Sequence, residues 1–208
     1  MPDPSFRNNE SLAIYSIGHS NQSIKAFIEL LTKHGIETLI DVRSYPYSRY
    51  VSHFNGPELA KAVGYSKITS LFMGKELGGG PNGEEFYDAE DHVLYSRVAE
   101  SPLFLKGIER LEEIGKVSRV AIMCSEKDPT NCHRHLLIGR VLAERRISLL
   151  HIRGDGSIQK GEELASLDES PSYEQGELWS VNNDRGVKEW RSIRSVLRRK
   201  QQPNSSEQ

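Results

Sequence analysis

Cysteine is scarce: only Cys124 and Cys132 occur in 208 residues. A chain of this length needs no disulfide staple, so a reducing, cytoplasmic setting is the expectation. Long apolar runs are missing too. A membrane-spanning helix needs about eighteen consecutive apolar residues, and no such stretch exists, so no membrane partner is expected. Met1-Pro2-Asp3-Pro4 has no basic region leading into an apolar one, which argues against a secretory signal. Nor is there an excess of one charge: 27 Lys and Arg face 29 Asp and Glu, a net −2. Bulk electrostatics therefore neither favour nor disfavour a polyanionic partner. Hydrophobic residues reach only 37%, but they come in tight runs that suffice for one sheet core.

Those runs set the expected architecture. Apolar segments at 12–17, 38–42, 117–124 and 147–152 read as buried strands. Ser23 can cap a helix to about residue 34, with Ile24, Phe27, Ile28, Leu30 and Leu31 on one face. Gly35 would end it. The β-α-β order implies parallel strands. Further helices are expected at 56–63, 84–100, 103–113 (closed by Gly115) and 132–145. Between 44 and 83, Tyr, Pro, Ser and Gly break the pattern, and Lys75 to Pro81 is read as irregular. A long interruption of this kind is often a binding loop. The fold class is thus α/β: a Rossmann-like, mostly parallel sheet flanked by helices, with a loop-rich insertion. Residues 1–11 are expected to be disordered, 12–155 to form the α/β domain, 156–200 a C-terminal extension with a basic helix at 187–200, and 201–208 a disordered tail. Seven Lys or Arg and one Glu lie between Arg185 and Lys200.

In open parallel sheets, ligands bind beyond the carboxyl ends of the strands. Here those ends read Gly18-His19-Ser20, Asp41-Val42-Arg43, Cys124-Ser125-Glu126 and His151-Ile152-Arg153. Four polar clusters at equivalent positions argue for one shared site. His19 and Glu126 suit proton transfer. Cys124, near a helix start and near Arg134, suits a reactive thiolate or, equally, a buried structural thiol. Arg43 and Arg134 could clamp an anion; an internal pairing of Arg134 with Asp41 or Glu126 is the bland alternative. Asp41 either serves the site or caps loop amides. His151 is at least as readily structural. The reading requires His19 and Cys124 within about 15 Å, as on neighbouring strands.

Metal binding is the rival use of Cys124, Cys132, His133 and His19. Cys-x7-Cys-His fits no standard zinc spacing and CxxC is absent, so no metal and no cofactor are expected. Gly78-Gly79-Gly80 lacks the lysine sequel of a P-loop.

Taken together, Ile17-Gly18-His19-Ser20, Asp41-Val42-Arg43-Ser44-Tyr45-Pro46-Tyr47-Ser48, Phe54-Asn55, Glu76-Leu77-Gly78-Gly79, and Met123-Cys124-Ser125-Glu126 with Cys132-His133-Arg134 resemble the domain-of-unknown-function family 488. The resemblance covers roughly residues 12–155. It strengthens the site without assigning a reaction. The catalytic candidates are His19, Cys124, Glu126 and Asp41, and the substrate-binding candidates are Ser20, Arg43, Glu76, Gly78, Gly79, Cys132, His133 and Arg134. A looser similarity is to rhodanese-like and cysteine-phosphatase domains, in which an Asp-Val-Arg strand end precedes a catalytic Cys and a helical Arg. The loop here is longer than theirs and contains Asp128-Pro129.

Three functions compete. One is an enzyme acting on a small anionic or nucleotide-like ligand. Another is a protein that binds or processes nucleic acid through the basic C-terminal helix, with Trp179, Trp190, Tyr45, Tyr47 and Tyr50 as stacking platforms. The last is a thiol-based sulfurtransferase or redox protein using Cys124 and Cys132.

Overall fold

The computed structural model describes residues 12–168, 181–182 and 188–196. Its centre is a six-stranded sheet built from β1 (Ala13–Gly18), β2 (Thr38–Asp41), β3 (Thr69–Phe72), β4 (Val120–Cys124), β5 (Ser148–Ile152) and β6 (Ile158–Lys160). The strand order is β3-β2-β4-β1-β5-β6. All neighbours pair in parallel except β6, which runs antiparallel to β5. The α/β expectation holds, and the four expected strands form the middle of the sheet. The edge strands β3 and β6 escaped sequence reading because Thr-Ser-Leu-Phe and Ile-Gln-Lys are short and half apolar or less.

The central strands are buried on both faces, which is why they read as continuous apolar runs. In β4, Val120 and Ile122 pack into one core layer, and Ala121 and Met123 into the other, as the two-residue period requires. The first layer is covered by α5 (Pro102–Val117) and by the segment containing a π-helix (Arg134–Gly139) and α6 (Arg140–Glu144). The second lies under α1 (Ile24–Lys33) and α2 (Gly56–Gly64). Ser23 caps α1 by accepting the Ala26 N–H at 3.2 Å. Ser101 caps α5, with Pro102 in its first turn, where a missing N–H costs nothing.

Several expectations are corrected. Residues 84–100 are not one helix: a short 3-10 turn (Glu84–Phe86) and a bridge between Tyr87 and Val93 precede α4 (Tyr95–Glu100). Gly115 does not close α5; it lies within it, and a Cβ there would come within 2.7 Å of Ile14 Cδ1. Lys75 to Leu77 do form a regular element, the one-turn α3 (Gly74–Leu77). The helix expected at 132–145 is π-helical in its first half, a widened turn often found at functional sites.

The basic helix at 187–200 is also corrected where it can be seen. Lys188–Glu189 is a strand, β8, paired with β7 (Val181–Asn182), and residues 190–196 are irregular. Tertiary anchoring overrides helix propensity there. Trp190 is buried and its Nε1–H donates to the Leu136 carbonyl at 3.1 Å, while Arg191 pairs with Asp88 and Glu90. Residues 1–11, Trp179 and 201–208 lie outside the described residues. Among the described residues, no helix is long and apolar enough to cross a membrane. The segment 156–168 continues the main sheet with β6 and adds α7 (Gly161–Asp168).

Candidate functional site

The carboxyl ends of β1, β2 and β4 lie side by side. Gly18 is in register with Cys124, and Asp41 with Met123. The zipper continues past the strands: the His19 N–H donates to the Cys124 carbonyl, and the Ser20 N–H to the Ser125 carbonyl, each at 2.9 Å. His19 and Cys124 are therefore immediate neighbours. Gly18 is needed at this closure, since a Cβ there would run into the Glu126 carbonyl. Ser20 adopts φ +49°, a left-handed conformation that non-glycine residues rarely adopt away from functional turns.

A cleft of about 1040 Å³ opens above these ends. Its walls include His19, Ser20, Arg43, Gly79, Cys124, Glu126, Cys132 and His133. Asp41, Glu76, Gly78 and Arg134, although expected at the site, do not line it. Glu76 sits 3.7 Å from Arg110 on the α5 side. Gly78 packs against Ser44 and the Gly74 carbonyl. Sequence reading assigned no site role to Lys127, Asn131 or Tyr95, and gave residues 192–196 only a nucleic-acid-binding role within the basic segment; all of these also line the cleft. Tyr45 and Tyr47, noted only as stacking candidates, line it too and stay 60% and 54% exposed.

Two polar networks converge on this cleft from opposite faces of the sheet. On the α1–α2 face, Asp41 grips Arg43 bidentately, Nε to Oδ1 at 2.9 Å and Nη2 to Oδ2 at 2.6 Å. Asp41 also accepts the Arg43 backbone N–H, so it caps a loop amide as one reading expected, but its cationic partner is Arg43 rather than Arg134. Arg43 further donates to the Phe54 carbonyl at 2.7 Å and meets His19 Nε2 at 3.1 Å. A guanidinium can only donate, so Nε2 accepts and Nδ1–H donates to the Ser20 carbonyl at 2.7 Å. Stacked on Phe54 and 2% exposed, His19 is held neutral. Burial, with the nearby Arg43 charge, pulls its pKa down to about 4, against the opposing pull of the Ser20 contact. The lone pair that general-base chemistry would need is already used.

On the other face lies a sulfur cluster. His133 Nε2–H donates to the Val42 carbonyl at 3.1 Å, which turns Nδ1 toward the Sγ atoms of Cys124 and Cys132, 3.8 Å from each. Arg134 is 1% exposed and fully committed. It donates to Cys132 Sγ at 3.2 Å, Ser16 Oγ at 3.0 Å and the Glu126 carbonyl at 2.6 Å. It thus cannot clamp an incoming anion without abandoning these partners. Among the described residues it pairs with no carboxylate, and Cys132 Sγ is one of its three nearest partners. The two thiols are pushed in opposite directions. Cys124 is pushed well below the ordinary thiol range by a hydrogen bond from Cys132, then by attraction to His133 and Arg134, against the penalty of burial. Cys132 is pushed up, first by burial and then by its contact with Cys124.

Gly79 lies against this cluster. A Cβ on it would stand 2.7 Å from His133 Cγ and 2.8 Å from Nδ1. Gly79→Ala is expected to displace the imidazole and cost about 1–3 kcal/mol, the usual size of overpacking. Urea denaturation would measure it, together with faster alkylation of the two thiols. An unchanged midpoint with unchanged thiol reactivity would show that the ring has room to move.

The fold and cleft define an α/β protein with its candidate site at the carboxyl ends of a parallel sheet. By sequence, the chain belongs to the family described as Domain of unknown function DUF488, whose family model matches residues 23–141. No curated protein and no solved structure matches it.

Proposed function

We propose that this protein is an enzyme acting on a small anionic, nucleotide-like substrate in the strand-end cleft. The observation that carries the reading is the composition of that cleft. Tyrosine faces (Tyr45, Tyr47) and cationic groups (Lys127, Arg194) share one cavity with a buried Cys124–Cys132–His133 cluster. Small-molecule sites combine an enclosed volume with a few convergent polar groups in this way. The aromatic faces suit a base, the lysine and arginine suit a phosphate, and the cluster with Glu126 supplies the reactive end. His19, Arg43 and Asp41 act as positioning residues that hold the strand ends together. Arg134 positions the thiols.

Base–aromatic stacking is worth about 1–3 kcal/mol per base. Tyr47→Ala is therefore expected to weaken nucleotide binding by roughly 5- to 150-fold, and Lys127→Ala to weaken phosphate-bearing ligands more than nucleosides. Calorimetric titration with a panel of nucleosides and nucleotides checks both. A panel in which no member binds, or in which Tyr47→Ala binds as well as the unaltered chain, would overturn the reading.

The nucleic-acid alternative draws less support. Trp190 is buried beneath Arg140, whose guanidinium lies 4.1 Å from its ring centroid, and Arg191 is neutralised by acidic neighbours. The sulfurtransferase alternative shares the thiols but leaves the tyrosine-lined wall without a role.

A further inference from the structure

We propose that Cys124, Cys132 and His133 form a zinc site whose fourth coordination position opens into the cleft. The proposal rests on the cleft reading above and names the cofactor of its reactive end. Sequence spacing argued against zinc, because seven residues separate the cysteines. The fold removes that objection. β4 delivers Cys124 at its last residue, and the loop after it returns Cys132 and His133 to the same face of the sheet.

The geometry fits a tetrahedral ion. With Zn–S near 2.3 Å and Zn–N near 2.0 Å, ligands on one ion stand about 3.6 Å apart for S···N and about 3.8 Å for S···S. Both Sγ···Nδ1 distances here are 3.8 Å. All three donor atoms fall within 4.8 Å of one another.

The surrounding groups fit as well. A metal-binding histidine usually gives its other N–H to a carbonyl or carboxylate, which fixes the tautomer and aims the free nitrogen. His133 does this through Val42. The Arg134 Nε–H on Cys132 Sγ is the matching partner for a coordinated thiolate. Gly79 leaves the space that the imidazole occupies. Two sulfurs and one nitrogen select zinc over magnesium or calcium, which take oxygen ligands. His19 does not join the site, because its Nε2 is taken by Arg43 on the opposite face. Three protein ligands leave one position for water or for an oxygen of the bound anion, as in catalytic rather than structural zinc sites. Each ligand residue lines the cleft, which gives that position access to the substrate.

The test uses the full, tag-free chain, stripped of metal under reducing conditions and titrated with Co²⁺ as a spectroscopic stand-in. The expected result is one Co²⁺ per chain, with tetrahedral visible bands and a sulfur-to-cobalt charge-transfer band, displaced by one Zn²⁺. Bound Zn²⁺ should also slow alkylation of both thiols. Cys124→Ser and His133→Ala should each weaken binding at least a hundredfold. His133→Cys keeps the ligand number and should retain the metal with a stronger charge-transfer band, which separates ligand loss from loss of fold. An octahedral spectrum, or equal affinity in the Cys124→Ser/Cys132→Ser double variant, overturns the proposal. Nucleotide titration of the same metal-free and loaded samples keeps the two readings apart. Nucleotide binding in a chain that takes no metal overturns the zinc site alone. Metal binding lost in the variants, in a chain that takes no nucleotide, supports the zinc site and overturns the ligand class.

Discussion

Asp41→Ala should destabilise the protein by about 3–5 kcal/mol, the cost of breaking a buried ion pair from one side. Arg43 and Asp41 are both almost fully enclosed. The carboxylate accepts three N–H groups, two from the guanidinium and one from the Arg43 backbone. Removing it strands a buried positive charge whose remaining partners are the Phe54 carbonyl and His19 Nε2. Because most of the loss comes from the stranded charge, the double variant Asp41→Ala/Arg43→Ala should lose less than the two single losses added together. Urea denaturation of the three variants measures the coupling. Additive losses, or a single-variant loss under about 1 kcal/mol, would mean that water reaches the guanidinium. The same experiment tests a local consequence. With Arg43 free to turn, the His19 ring loses its neighbour and should protonate at a higher pH.

Acid should unfold the protein through two histidines that stay neutral in the fold. His19 is held at about 4 and His151 at about 3, against an ordinary value of 6.5. Burial is the main cause in both, assisted by Arg43 for His19 and by His135, then Arg134, for His151. The contacts explain why. Arg134 donates to Ser16 Oγ, whose hydroxyl is 2.7 Å from His151 Nδ1, and His151 Nε2 is 3.3 Å from His135 Nδ1. Ser16 thus bridges the Arg134 guanidinium and the His151 ring, so a second proton on His151 would face that cation across a single hydroxyl. The unfolded chain takes up protons below pH 6.5 that the fold refuses. Stability is thus complete above 6.5 and falls with pH until the folded values are reached. At about 1.4 kcal/mol per unit, the full losses are about 3 kcal/mol for His19 and about 5 kcal/mol for His151. Against a total of about 5–15 kcal/mol for a domain, that is a large share of the stability. Between pH 7 and pH 5 the two together should remove about 4 kcal/mol. Urea midpoints across that range measure the slope, and His151→Gln should flatten it by about half. A midpoint that does not move from pH 7 to pH 5 would contradict the assignment.

Much of the site's location was legible in the sequence. Gly18-His19-Ser20, Val42-Arg43 and Cys124-Ser125-Glu126 follow directly on apolar runs, so their place at strand ends depended only on local pattern. The roles were less legible. Arg43 and Arg134 carry the right charge for anion binding, yet both spend their donors inside the protein. Trp190 was read as a stacking platform and is instead a core residue tied to Leu136. Glu76 and Gly78 share a motif with Gly79, but only Gly79 reaches the cleft: α3 turns Glu76 toward α5, and Gly78 packs against Ser44. In each case the deciding partner lies far away in sequence.

Alone, the sequence determined the four central strands and the helices that cover them, that the sheet is mainly parallel, and at which rim the polar residues gather. These follow from two- and 3.6-residue periodicities and from burial, which are recorded within a few neighbouring positions. Only the tertiary structure decided that β4 inserts between β1 and β2, that both arginines are internal, and that Cys124 meets Cys132 and His133 on one face. Those outcomes depend on strand order and on packing between residues up to 118 positions apart, as between Ser16 and Arg134. Local periodicity carries no record of such pairings.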